Sequence, residues 1–92
     1  MRTAILAYLV TESKKHQSEL ESNLKLYQAT GVASYLLDAF RDSVKFETIA
    51  EIRLEQEDTP ENRRIMQDRT SIRLQIETMA REACRTTTSL AA

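Results

Sequence analysis

The sequence predicts an all-α domain, either an antiparallel three-helix bundle or a helical hairpin with coiled-coil-like seams. The 92 residues include a single glycine and a single proline, which leaves almost no material for turns or strand boundaries. Apolar residues also recur at alternating steps of three and four in the last third of the chain, the spacing of a helix that buries one stripe. We expect residues 1–92 to form one helical domain.

The third predicted helix, residues 60–85, has the clearest pattern. Thr59 is suited to cap its first turn, and Pro60 fits the first helical position, where an N–H is not needed. One polar residue, Arg69, interrupts the stripe. The apolar members form a heptad seam that must pack against another helix: Ile65, Ile72, Ile76, Met79 and Ala83.

The first predicted helix covers residues 3–30 and ends at Gly31, because glycine is the residue type that most often terminates a helix. A helix that continued through Gly31 would lose about 1 kcal/mol relative to alanine. Thr30 and Ser34 offer caps on either side of the glycine, so we expect the chain to reverse there.

This first helix is apolar at both ends and polar in the middle. Its apolar face near the amino terminus is broader than a narrow seam requires, which indicates a contact surface for another protein or a second copy. Packing within the fold is the alternative interpretation. The predicted partner-binding residues are Ile5, Leu6, Leu9, Val10, Leu20, Leu24 and Tyr27.

The second predicted helix covers residues 33–57 and folds back on the third through a turn at residues 58–60. Antiparallel packing then pairs residues whose numbers sum to about 119, so that Phe40 meets Met79. In this register Glu47 lies one turn from the residue that faces Arg69, and one interpretation is a register-setting ion pair between the two. The interpretation we favour is an arginine whose stem packs while its charged head reaches water.

The last residues, 86–92, lose the apolar spacing and are predicted to form a frayed tail. Leu90, Ala91 and Ala92 resemble the end of a bacterial degradation tag, which would make this end a degradation signal. Three common residues also occur together by chance, so both interpretations stand.

The charge and cysteine content exclude several classes of protein. The formal net charge is −1, with seven acidic and three basic side chains in residues 32–58, and this balance argues against a general binder of nucleic acid or membrane surfaces. The apolar stretch Ala4–Val10 is too short to cross a bilayer. Cys84 is the single cysteine, which fits a reducing compartment. We therefore predict a cytoplasmic protein without a membrane partner.

No residue pattern predicts catalytic chemistry. His16 is the single histidine and is interpreted as an exposed surface residue, so we expect no metal site, no cofactor and no small-molecule substrate. Small three-helix chorismate mutases are similar in size and helix count. Their site requires several cations that converge inside the bundle, whereas Arg69 alone is predicted to point inward here. We predict that the protein is not an enzyme.

A non-enzymatic helical protein-interaction module is the function that these patterns favour. It would act as a small accessory, assembly, chaperone-like or regulatory protein, of a kind common in bacteria and phages, by binding a protein partner or itself. The alternative is a small nucleic-acid-binding regulator, which we do not favour because its basic residues spread around the third helix. Those residues are Arg63, Arg64, Arg69, Arg73, Arg81 and Arg85.

Overall fold

The computed structural model describes the backbone of residues 2–91 and the side chains of residues 3–85. Within that range the chain forms three helices: α1 (Arg2–Thr30), α2 (Ala33–Gln56) and α3 (Pro60–Ala91). The helices pack as an elongated bundle of 53 × 20 × 16 Å. The predicted all-α three-helix bundle is therefore confirmed.

The reversal between α1 and α2 depends on Gly31. Its φ of 70° lies in the left-handed region, where a side chain would be strained, and its N–H donates to the Tyr27 carbonyl over 2.7 Å. The predicted reversal at Gly31 is confirmed. Val32, rather than Ser34, occupies the capping position of α2, and its side chain cannot accept a hydrogen bond from the helix.

The turn between α2 and α3 is held by side-chain hydrogen bonds to the backbone. The Thr59 hydroxyl accepts a hydrogen bond from the Asn62 N–H at 3.1 Å, as the capping pattern predicts. Asn62 in turn donates from its side-chain amide to the Glu57 carbonyl at 2.8 Å. Arg63 reaches back to both carboxylate oxygens of Asp58, which closes the turn with a bidentate ion pair.

The central helix of the bundle is α2, because α1 and α3 both pack against it. Over the described part of the chain, no Cα atom of α1 lies within 8 Å of one in α3. The two outer helices therefore share a neighbour without touching each other through their backbones.

The hydrophobic core forms where all three helices contribute side chains. Its buried members are Leu20 from α1, Leu36, Ala39 and Phe46 from α2, and Ile76 and Ala80 from α3. Phe40 and Met79, which the predicted register places opposite each other, both pack against this cluster. Glu47 and Arg73 pair across the same interface, which agrees with the predicted antiparallel packing of α2 on α3.

The carboxyl-terminal end differs from the prediction. The α3 helix continues to Ala91, six residues beyond the expected end at residue 85, so the predicted tail is helical over most of its length. The sequence there contains no glycine or proline to stop the helix, and it includes leucine and alanine, which favour helix. The degradation signal suggested for Leu90, Ala91 and Ala92 concerns side chains that lie outside the described residues.

Candidate functional site

A buried polar cluster lies between α1 and α2. Three polar side chains are buried in the described part of the bundle: His16, Asp42 and Ser43. Ser43 is accounted for, since its hydroxyl donates to the Phe40 carbonyl at 2.6 Å within its own helix. His16 from α1 and Asp42 from α2 are different, because they come from separate helices and meet in the interior.

The His16 imidazole lies between two carboxylates of its own helix. Its Nε2 is 3.4 Å from Glu12, one turn earlier, and its Nδ1 is 3.7 Å from Glu19, one turn later. The residue is 8% exposed, and Nδ1 has no hydrogen-bond partner among the described residues. A buried nitrogen without a partner costs free energy, so this atom requires an explanation.

Asp42 completes the cluster from α2. One of its carboxylate oxygens accepts a hydrogen bond of 3.0 Å from the Asn23 side chain. Burial raises the pKa of Asp42, the Asn23 hydrogen bond opposes that rise, and the neighbouring Glu19 carboxylate raises the pKa further. The fold therefore holds a carboxyl group where its ionised form is disfavoured.

The cluster brings together donor atoms of the kind that bind metal ions. One atom each from His16, Glu19 and Asp42 can be chosen so that all three lie within 4.8 Å of one another. Imidazole nitrogen and carboxylate oxygen are common ligands of zinc, iron and manganese. The same atoms can alternatively hold a shared proton.

The interpretation of His16 as an exposed residue is wrong. In the polar middle of α1, His16 is buried against α2, whereas its neighbour Gln17 is exposed. Spacing within α1 could have placed Glu12, His16 and Glu19 on one side of the helix, since they are separated by four and three residues. No pattern in the sequence indicated that Asp42, on another helix, would join them.

The predicted partner-binding residues divide into two groups. Leu9 and Leu20 are buried within the bundle, and Leu6, Leu24 and Tyr27 are half-buried. Ile5 and Val10 remain exposed, and both belong to the amino-terminal third of α1. The exposed members of the predicted set therefore lie at one end of it.

An apolar groove runs beside that end, between α1 and α2. It has a volume of about 290 Å³, and its apolar lining consists of Tyr8, Leu9, Val44, Ile49 and Ile52. Tyr8 on one rim is 64% exposed and Val44 on the other is 38% exposed. His16 and Glu12 lie at the polar end of the same groove, next to the buried cluster.

The register-setting pair of Glu47 with Arg69, one of the two interpretations of that seam position, is wrong, because Glu47 pairs with Arg73 instead. The Arg73 Nε donates to Glu47 over 2.7 Å, and this hydrogen bond raises the pKa of Arg73. The Arg69 guanidinium stacks on the ring of Phe46, 3.7 Å from its centroid. Burial lowers the pKa of Arg69, and a 3.0 Å hydrogen bond to Asp68 opposes that shift.

Other arginines of α3 are also engaged within the chain. Arg63 pairs with Asp58, and Arg73 and Arg81 both contact Glu77, at 3.1 and 3.0 Å. Their positive charges are therefore partly neutralised by neighbouring carboxylates, and they do not form one continuous basic stripe.

Comparison of the chain with protein-family models, curated proteins and solved structures finds no match. A search of the described helices for a long apolar window also finds none able to cross a bilayer. The chemistry of the cluster and the groove is therefore the basis for a functional proposal.

Proposed function

We propose that this protein is a non-enzymatic helical interaction module that binds a second copy of the same chain to form a dimer. The contact would be made by the amino-terminal third of α1 and the apolar groove beside it. The observation that carries the proposal is the exposure of Tyr8, an aromatic side chain, on the rim of that groove.

The amino-terminal part of α1 is suited to contact with a copy of itself. Residues 3–11 contain no charged side chain, so two copies can approach there without like-charge repulsion. Ile5 and Tyr8 are separated by one turn and lie on the same side of the helix, where both are exposed. A protein of net charge −1 also adds little long-range repulsion between copies.

The groove supplies the complementary half of such a contact. In a two-fold symmetric dimer the same patch occurs on both sides, so Tyr8 of each copy would enter the groove of the other. The floor of that groove is formed by Leu9, Ile49 and Ile52, which provide apolar surface for an aromatic ring. Tyrosine is among the residue types enriched at the centres of protein interfaces.

Two alternatives receive less support from the described residues. The arginines predicted for nucleic-acid contact are largely paired with carboxylates, as Arg63 is with Asp58 and Arg73 with Glu47. The polar cluster contains two carboxylates and an imidazole, a set of side chains that suits a cation better than a dicarboxylate substrate. We therefore favour binding over catalysis.

The test is the mass of the protein in solution, measured by light scattering across a range of chain concentrations. We expect twice the 10.6 kDa chain mass for the natural sequence. The double variant Ile5→Asp with Tyr8→Asp should return the mass of one chain, and its acidic residues near the start of α1 should not weaken the helix. Circular dichroism checks that both proteins remain helical.

The matched control is Leu74→Asp, which places the same charge at an exposed leucine of α3, away from the groove. This variant should keep the dimer mass. A natural protein of single-chain mass at high concentration would overturn the proposal, as would a dimer that survives the double variant at α1.

A further inference from the structure

We propose that His16, Glu19 and Asp42 form a binding site for one divalent first-row transition-metal ion, with zinc as the representative ion. The site would join α1 to α2 at the polar end of their interface. It is independent of the proposed dimer, because it needs residues of a single chain.

The imidazole is already oriented as a metal ligand. Metal-binding histidines usually donate their second ring N–H to a carboxylate, which fixes the tautomer. Glu12, 3.4 Å from Nε2, is placed to accept that hydrogen. The lone pair then resides on Nδ1, the buried atom that has no hydrogen-bond partner among the described residues and faces Glu19 at 3.7 Å.

The Asp42 carboxylate is also held in place by a partner outside the ligand set. Asn23 donates to one of its oxygens at 3.0 Å, which leaves the other oxygen available for an ion. Because Asn23 and Glu19 both come from α1, the helix that supplies the histidine also fixes the aspartate from the opposite helix.

The spacing of the donor atoms fits an ion after small side-chain movements. They lie within 4.8 Å of one another, whereas ligands about 2.1 Å from a metal can be at most about 4.2 Å apart. The Glu19 side chain is 45% exposed and can close that difference by rotating toward the interior. The same exposure gives the ion a route from solvent and leaves a coordination position for water.

Charge also favours a cation at this place. As ligands, the Glu19 and Asp42 carboxylates would supply two negative charges to the ion, and Asp42 is only 6% exposed. A divalent ion would neutralise both carboxylates and supply a partner for the orphaned nitrogen. The nitrogen ligand favours a transition ion over magnesium or calcium, which prefer sites made of oxygen atoms alone.

The experiment is calorimetric titration of zinc into chelator-treated full-length protein. All proteins carry Cys84→Ser, so that the exposed thiol does not compete for the ion. We expect one zinc per chain. The variants Asp42→Asn and Glu19→Gln should each weaken binding by at least about tenfold, because each removes one ligand charge while it keeps the side-chain shape.

The matched control is Glu21→Gln, which neutralises a glutamate of α1 that points away from the cluster and contacts Gln17. Its zinc affinity should equal that of the unaltered protein. Cobalt provides a second readout, since its visible absorption bands should appear on binding and should be lost in Asp42→Asn.

Three results would overturn the site: no zinc binding, equal binding by the control and both ligand variants, or magnesium binding as tight as zinc binding. A ratio of one zinc to two chains would also overturn it, because the ion would then lie between copies. Zinc binding by the double variant at Ile5 and Tyr8 separates the two proposals, since that protein should bind zinc while monomeric.

Discussion

The two faces of α2 bury different kinds of side chain. Toward α3, the contact is apolar at its centre, and its main ion pair, Glu47 with Arg73, is half-buried at the edge. Toward α1, the contact encloses His16 and Asp42, with an unpartnered nitrogen among the described atoms and a carboxyl whose pKa is raised by burial. The α2–α3 face is therefore mainly apolar, apart from Arg53, whose buried Nε lacks a hydrogen-bond partner among the described residues, while the α1–α2 face retains a buried imidazole and a buried carboxyl group.

The difference makes the α1–α2 contact the better candidate for a functional surface. Replacing a complete buried ion pair by well-packed apolar residues is often neutral or stabilising, so stability alone does not require such polar groups in a core. A polar cluster inside a small core is therefore a candidate for function, and the α1–α2 face contains both this cluster and the exposed groove.

The largest effect is expected from Phe46→Ala, which acts at the centre of the core. Phe46 is 2% exposed, belongs to the cluster that joins all three helices, and carries the Arg69 guanidinium on its ring. Its truncation should lower the free energy of unfolding by about 3–5 kcal/mol, because it leaves a cavity. Urea denaturation followed by circular dichroism measures the loss.

The control for this prediction is Leu37→Ala, at an exposed position of the same helix. A loss of about 1 kcal/mol or less is expected there. Equal losses for the two variants would contradict a core centred on Phe46.

In contrast to Phe46→Ala, the variant Asp42→Asn is expected to increase the free energy of unfolding of the metal-free protein. Asparagine has nearly the same shape and can still accept the hydrogen bond from Asn23, but it carries no charge to bury beside Glu19. The variant should therefore be more stable than the natural protein at neutral pH, as measured by urea denaturation with a chelator present. Adding zinc should reverse that order, because the natural protein binds the ion more tightly than the variant and is stabilised more by it.

The pH dependence of this difference follows from the direction of the shift. The folded-state pKa of Asp42 lies above its usual value of 3.8, so the protonated carboxyl group favours the folded state. This contribution to the free energy of unfolding is complete below pH 3.8. The contribution is lost as the pH rises through the folded-state pKa, so the advantage of Asp42→Asn should grow over that interval. Asp58, whose pKa is lowered by Arg63, contributes equally to both proteins and cancels in the comparison. An advantage that shrinks with rising pH would contradict the assignment.

The smallest effect is expected from Thr59→Ala at the start of α3. Loss of the hydrogen bond from the Asn62 N–H to the threonine hydroxyl should cost about 1 kcal/mol. The control is Thr48→Ala, where the hydroxyl bonds to the Val44 carbonyl within the helix and alanine is the better helix former. That control should be neutral or slightly stabilising.

The α2–α3 hairpin was predictable because its signals are local or periodic. Thr59 and Pro60 define a helix start, and the heptad spacing in α3 fixes which side chains face inward. The end of α3 was less predictable, since threonine and serine near a terminus are compatible with both tail and helix.

The pairing of individual charges was not predictable from spacing alone. Glu47 lies within reach of arginines on successive turns of α3, and the choice of Arg73 over Arg69 depends on the ring of Phe46, which attracts the Arg69 guanidinium. The cluster at His16 was missed for a similar reason. To predict the cluster one must know which α2 residue faces His16. The first helix lacks a regular apolar seam from which the register of α1 on α2 could be deduced.

The position of α2 between two outer helices, whose described Cα atoms do not approach within 8 Å of each other, has a consequence for how the molecule unfolds. Either outer helix can detach while the other keeps most of its packing against α2, although the core side chains that all three helices share then lose part of their cover. Whichever outer helix detaches first, residues 33–56 remain packed against the other one. Amide hydrogens of this segment should therefore exchange with solvent more slowly than those of α1 and α3.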